Sequence, residues 1–232
     1  MAGSLQGQVA VVTGASGGLG VHVVSALVAE GATVLAIDRA SKDLPSNAGV
    51  KRFAANLTSA EDVARVIREI VADAGRIDAL THVIGGFAGG SSVAETDDDT
   101  WQRMMNLNLN AAFYVLRAVV PVMREAGRGR IIAIGSRQAV QPAANVGAYS
   151  ASKAALVSLV QTVALENKDK NIRANAILPG TMDTPANRAA MPKANFDKWV
   201  KPAHVADLVV MLAGDVGGEI TGAAIPVYGQ DG

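Results

Sequence analysis

The chain has no cysteine in its 232 residues. A disulfide, a thiolate nucleophile and a cysteine-based metal site are all excluded, and a reducing cytoplasm is the compartment that fits. It also lacks an excess of charge. Lys+Arg and Asp+Glu number 21 each, which leaves no electrostatic case for a nucleic-acid partner. No apolar run approaches the length that spans a membrane. The stretch Met1 to Gln8 has neither the basic region nor the apolar run of a secretion signal. Histidines are few. His22, His82 and His204 are scattered without a spaced carboxylate, so no metal site is expected. His22, on the first helix, reads as a surface or packing residue, and His204 has no visible partner. His82 reads mainly as a strand residue, with contact to a cofactor as the alternative.

What is present is apolar material in regular alternation. Hydrophobic residues make up 50% of the chain and charged residues 18%, enough for one large core. No internal repeat or low-complexity tail divides it, so residues 1–232 are expected to form a single domain. Short runs that read as strands recur, the first of them apolar and β-branched: Val9–Val12, Thr33–Ile37, Lys51–Ala55, Ala79–Ile84, Arg130–Ile134, Ile172–Ile177 and Ile220–Val227. Helical patterns lie between them. This alternation predicts an α/β fold, a doubly wound parallel sheet with helices on both faces. Thr58-Ser59-Ala60-Glu61 reads as a capping box. Trp101, Met104, Met105 and Leu109 have helical spacing and are expected in the core. Asp97 to Asp99 reads as an acidic helix start rather than a metal site. Pro121 is expected to kink its helix.

The first strand runs into Thr13-Gly14-Ala15-Ser16-Gly17-Gly18-Leu19-Gly20, and a helix follows. In that context Gly14 permits a tight turn. Gly18 lets backbone approach phosphate, and Gly20 lets the helix pack on the strand. The helix-start N–H groups then face a pyrophosphate. Asp38, about twenty residues on, can accept hydrogen bonds from a ribose diol and would repel a 2′-phosphate. NAD is therefore favoured over NADP, while Arg39 is a guanidinium able to partner that phosphate and keeps NADP open. Gly85 to Gly90, after the fourth strand, forms a second glycine loop at the same sheet edge.

The chemistry is expected in Ser136-x12-Tyr149-x3-Lys153. Tyr149 and Lys153 stand four apart and share one helix face. A phenol titrates near pH 10, and a neighbouring ammonium favours the phenolate. Such a pair can move a proton to or from an alcohol oxygen. Ser136, just past a strand end, can hydrogen-bond a substrate oxygen. The segment Thr181 to Trp199, with Pro185 and Pro192, reads as a loop with short helical turns and a candidate lid. Phe196 and Trp199 in it read either as a substrate wall or as the lid's anchor.

Taken together, Thr13-Gly14-x3-Gly18-x-Gly20, Asp38, Asn108, Ser136-x12-Tyr149-x3-Lys153 and Pro179-Gly180 resemble the short-chain dehydrogenase/reductase family over nearly the whole chain. The resemblance implies a Rossmann-type domain, NAD(P)-dependent interconversion of carbonyl and alcohol, and a homotetramer or homodimer. It implies that Asn108 helps hold a proton-relay water, Ser136 polarises the substrate oxygen, Tyr149 is the acid/base, and Lys153 binds the nicotinamide ribose and lowers the Tyr149 pKa. It extends the expected cofactor contacts to Ser16, Gly17, Leu19, Asn56, Leu57, Gly85, Gly86, Pro179, Gly180 and Thr181, and the substrate contacts to Phe87, Phe196 and Trp199. The chain departs from the family pattern in three places. His82-Val83-Ile84-Gly85 stands for Asn-Asn-Ala-Gly, Asn56 for an acidic residue near the adenine, and Val227-Tyr228-Gly229-Gln230 for Val-Asp-Gly-Gly. Both Gly85–Gly90 and the run from Asp183 to Trp199 are similar to loops of the dihydropteridine reductase branch. Reduction of a pterin ring is thus the second enzymatic reading. A dinucleotide-binding sensor or scaffold without turnover is the alternative of another class, and the intact Ser136, Tyr149 and Lys153 weigh against it.

Overall fold

Seven parallel strands form one sheet in the order β3-β2-β1-β4-β5-β6-β7. They are β1 Val9–Thr13, β2 Thr33–Asp38, β3 Val50–Ala54, β4 Ala79–His82, β5 Gly129–Ile134, β6 Ile172–Pro179 and β7 Ala224–Val227. The structure, a computed structural model, describes residues 3–39 and 48–230. Met1 and Ala2 of the expected signal-free N-terminus, and the last two residues of the expected 1–232 domain, lie outside the described residues.

Alternation along each strand sorts the core into two layers. Val11, Leu35, Ile37, Leu80, Ile131 and Ala133 face one side of the sheet. There they meet α2 (Ala60–Ala74), α4 (Ala111–Ala126) and α5 (Gly147–Glu166). Ala10, Val12, Val34, Ala36, Ile132 and Ile134 face the other side, covered by α1 (Gly20–Ala29) and α7 (Pro202–Ala213). A sheet covered on both faces needs the nearly continuous apolar strands seen in the sequence. The chain reverses its winding direction between β1 and β4, so their carboxyl ends form the crevice where open α/β sheets bind ligands.

Several local expectations need correction, each for a visible reason. β4 stops at His82 because the next two N–H groups, of Val83 and Ile84, turn to the Thr13 hydroxyl. β7 starts only at Ala224. Gly222 has φ +73° there, and the Asn175 amide takes up the Ile220 carbonyl and the Ala223 N–H. The cap of α2 is Ser59, which accepts from Asp62 N–H. The Asp62 carboxylate reaches back to Asn56 N–H, so Thr58 and Glu61 do not form the box. Trp101 is exposed, and of the four apolar residues expected around α3 (Asp98–Met105) only Met104 is fully buried. Helix α4 continues through Pro121, which sits on its exposed side.

Candidate active site

The first glycine turn and β4 meet at the crevice. Gly14 has φ +64°, and a Cβ there would lie 2.9 Å from Ile84 N. A Cβ on Gly20 would sit 2.1 Å from the Gly14 carbonyl oxygen, so only glycine lets α1 start against β1. The turn bounds a cleft of about 1240 Å³ along the carboxyl ends of the strands. A Cβ on Gly18 would come within 3.0 Å of the Thr184 methyl, which places the segment after β6 directly over the turn.

The expected site residues fall into two groups. Gly14, Ser16, Gly17, Gly18, Leu19, Asp38, Gly85, Gly86, Phe87, Ser136, Tyr149, Lys153, Pro179, Gly180 and Thr181 all line the cleft. The Asp38 carboxylate is held in place: its Oδ2 accepts from Ser16 N–H at 3.0 Å and Ser16 Oγ–H at 2.6 Å, and its Oδ1 from Arg39 N–H at 2.8 Å. The other group does not line the cleft. Arg39 is exposed, and Asn56 uses its Oδ1 to accept from Thr58 N–H and Oγ–H. Leu57 is core. Phe196 and Trp199 stack on each other at 4.8 Å with Trp199 buried, and the Arg188 guanidinium covers Phe196. Their geometry is that of the lid's anchor: Trp199 is buried, and Val200 beside it pairs with the start of the segment through Val200 N–H to Thr181 O and Asp183 N–H to Val200 O.

At the centre, Lys153 and Tyr149 lie on the first turns of α5. Lys153 is buried and donates to the Ile134 carbonyl at 2.8 Å, which leaves two further ammonium protons. Burial lowers its pKa to about 8. The Tyr149 phenol is shifted the other way. Burial raises its pKa, and a hydrogen bond with Ser136 opposes this less strongly. The expected lowering of the Tyr149 pKa is therefore corrected: the net direction is upward, because desolvation is the largest effect in this cleft. Ser136 is buried at the start of a 3₁₀ turn and accepts from Gln138 N–H at 3.2 Å.

Asn108 is fully buried where the helix between α3 and α4 loosens into a π turn, Asn106–Asn110, a feature common at functional sites. Its Oδ1 accepts from Gly86 N–H at 2.9 Å, and its Nδ2 donates to Gly86 O and to Ser152 Oγ, both at 3.0 Å. Ser152 in turn donates to the Tyr149 carbonyl at 2.8 Å. Asn108 thus ties the second glycine loop to α5. It does not line the cleft, and its amide is engaged by protein on both ends.

His82 is buried beside this group and lines no part of the cleft. Its Nδ1 lies 3.1 Å from Thr13 Oγ1, while its Nε2 has no partner. Burial, helped by the charge of Lys153, lowers its pKa to about 3, so it is a neutral structural residue. Among the cleft residues outside the expected site set are Thr184 and His22. Thr184 is marked in sequence only by its place before Pro185, where it caps α6 (Pro185–Ala190). His22 lines the cleft from α1, a position its helical spacing did not reveal. Among the described residues, no helix is long and apolar enough to cross a membrane, and no cluster of His, Asp or Glu is arranged to hold a metal.

A glycine turn at the switch point, a carboxylate held against that turn and a Ser-Tyr-Lys group line one cleft. A family model described as short chain dehydrogenase matches residues 8–195. The chain is similar to short chain dehydrogenase adrF of Penicillium rubens, 32% identical over 96% of both chains. It is also similar to 3-oxoacyl-[acyl-carrier-protein] reductase FabG of Thermotoga maritima, 30% identical over 97% of this chain and 98% of that one. A short-chain type dehydrogenase/reductase from Mycobacterium ulcerans superposes with a TM-score of 0.91 at 28% identity, over 97% of this chain and 90% of that one. The chain belongs to the short-chain dehydrogenase/reductase family, and it is an NAD(P)-dependent oxidoreductase acting on a small-molecule substrate.

Proposed function

We propose that this enzyme interconverts a carbonyl and an alcohol with Tyr149 as the acid/base, and that it uses NAD(H) in preference to NADP(H). The observation that carries the reading is the meeting of Ser136, Tyr149 and Lys153 in the cleft that begins at the glycine turn. The cleft fits a dinucleotide. Its turn admits no side chain at Gly14 or Gly20, and Asp38 is fixed at its far end. When bound, a nicotinamide dinucleotide supplies or accepts the hydride.

The protein's own part is proton transfer and positioning. In reduction the Tyr149 phenol gives its proton to the forming alkoxide, and its raised pKa keeps it protonated through neutral pH. Ser136 donates to the same oxygen. Lys153, with two ammonium protons beyond its bond to Ile134, has donors for a ribose and keeps a positive charge near the phenolate left behind. Asn108 positions Gly86 and α5 rather than touching substrate. Gly14, Ser16, Gly17, Gly18, Leu19, Gly20, Asp38, Gly85, Gly86, Pro179, Gly180 and Thr181 form the cofactor bed. Phe87 forms the substrate wall.

The Asp38 carboxylate supports NAD, because a 2′-phosphate placed there meets a negative charge. Ser136 supports a carbonyl substrate over a pterin ring, and the anchoring role of Phe196 and Trp199 takes those two residues out of a pterin contact set. We also propose a homotetramer or homodimer, in line with the family, and a cytoplasmic location, in line with the absence of cysteine. A panel of ketones, alcohols and a quinonoid pterin, assayed with NADH and NADPH, tests the function. Turnover of a ketone with NADH is expected. Reduction of the pterin alone, or tighter binding of NADPH than NADH by fluorescence titration, overturns the corresponding assignment.

A further inference from the structure

Among the described residues, no fixed cation stands at the glycine turn. Among the described residues, the titratable or charged side chains lining the cleft are His22, Asp38, Arg137, Tyr149 and Lys153. Asp38 is held against Ser16. Arg137 follows Ser136 and lies over the Tyr228 ring, and Lys153 is bonded to Ile134, so both belong to the substrate end. Only His22 stands on the element that opens at the glycine turn.

Its placement follows from helix geometry. A helical side chain leans toward the N-terminus and covers the turn three or four residues before it. For His22 that turn is Gly18 and Leu19, the part of the bed that Thr184 also approaches. His22 is exposed and lines the cleft, and among the described residues its ring has no hydrogen bond or ion pair. Backbone N–H groups alone hold an anion without regard to pH in the neutral range, whereas an imidazole changes charge between about pH 5 and 8.

We propose that His22 is a cofactor-binding residue whose protonated imidazole pairs with the pyrophosphate of the bound dinucleotide. This rests on the reading of the cleft as a dinucleotide site. Its consequence is cofactor affinity that rises as pH falls through the imidazole range.

The other titratable groups near His22 are limited. The lid carries Asp183 and Arg188, which pair with each other, and α7, packed against α1, carries exposed His204 and Asp207. Lys153 titrates near pH 8 and gives its own pH dependence at the ribose, so a comparison of variants is required. The test is NADH binding by fluorescence titration from pH 5.5 to 8.5, for the unaltered enzyme, His22→Gln and His204→Gln, with AMP and adenosine as competing probes. The unaltered enzyme should bind NADH roughly three- to tenfold more tightly at pH 6 than at pH 8. His22→Gln should flatten that change below pH 7.5 and leave the Lys153 limb, and His204→Gln should not alter it. The preference for AMP over adenosine should shrink in His22→Gln at pH 6. A pH profile identical in His22→Gln and the unaltered enzyme overturns the proposal while leaving the enzyme assignment intact. Failure of all three proteins, the unaltered enzyme included, to bind NADH overturns the cleft reading itself.

Discussion

The ring of Phe87 stands edge-on to that of Tyr149, with centroids 5.0 Å apart and planes inclined at 71°. Phe87 is 67% exposed, so this contact is the outer wall of the cleft rather than part of the core. It shields one side of the phenol from water and thus contributes to the burial that raises the Tyr149 pKa. Phe87→Ala should let water in and lower that pKa. The expected result is an alkaline limb of the reductive pH–rate profile that moves to lower pH, with a several-fold rise in KM for an apolar ketone. Phe87→Leu, which keeps the wall, should show less of both. An unmoved limb in Phe87→Ala would leave the ring a bystander.

Tyr149→Phe removes the proton donor and keeps the ring. Loss of a positioned acid typically costs 10²–10⁴-fold in rate. A kcat reduced by about that factor, with NADH affinity within twofold of the unaltered enzyme, is the expected outcome of steady-state kinetics and a fluorescence titration. Retained turnover would remove Tyr149 from the chemistry.

The fold was legible because strands buried on both faces must be largely apolar, and the runs of the inner strands were, while the edge strand β3, with Lys51 and Arg52, was legible only from its place in the alternation. The glycine turn and the Ser-Tyr-Lys set were legible because their spacing is fixed by backbone geometry. What escaped were features made by distant side chains. Thr13 ends β4 by taking N–H groups across the sheet, and the Asn175 amide delays β7. His22 faces the cleft because the segment after β6 folds over α1. The lid's aromatic pair faces inward to its own anchor for the same reason, that long-range packing chooses which side of a short helix is wet. Desolvation of Tyr149 likewise depends on Phe87 and the depth of the cleft, neither of which has a local signature.

Burial of Lys153 opposes folding while the ammonium persists. Its pKa falls from 10.5 to about 8 in the folded chain. The unfolded chain therefore binds more protons between these values, and stability from this group rises with pH across that window. Below pH 8 the cost is about 3 kcal/mol at ~1.4 kcal/mol per pH unit. Lys153→Met should be at least as stable as the unaltered enzyme at pH 7 by thermal melting, and that advantage should shrink toward pH 10. Its NADH affinity should fall about tenfold or more. A variant destabilised equally at all pH values would refute this cost.

Gly18 and Thr184 offer a test of the lid's position. A Cβ on Gly18 meets the Thr184 Cγ2 at 3.0 Å and the Thr184 Cβ at 3.1 Å, both of them side-chain atoms. Gly18→Ala should lift the lid and weaken NADH binding several-fold. Adding Thr184→Ser removes the methyl, keeps the Cβ and the hydroxyl that accepts from Asn187 N–H, and should recover part of the loss. Additive effects in this double-mutant cycle would place the two residues out of contact.

His82 sets the acid limit of the fold. Its pKa falls from 6.5 to about 3, first through burial and then through the charge of Lys153. The unfolded chain takes up this proton and the folded chain does not, so stability drops as pH falls from about 6.5 toward 3. The full span corresponds to about 5 kcal/mol at ~1.4 kcal/mol per pH unit. A protonated ring would also face the charge of Lys153 with its Nε2 unpartnered. His82→Asn keeps a group able to bond Thr13 and carries no proton. Denaturant melts between pH 4 and 7 should therefore show a shallower acid slope for His82→Asn, with the curves closest at pH 7. Parallel curves would mean that the acid limit belongs to the carboxylates, such as Asp183 with its Arg188 and Lys201 partners, and not to the imidazole.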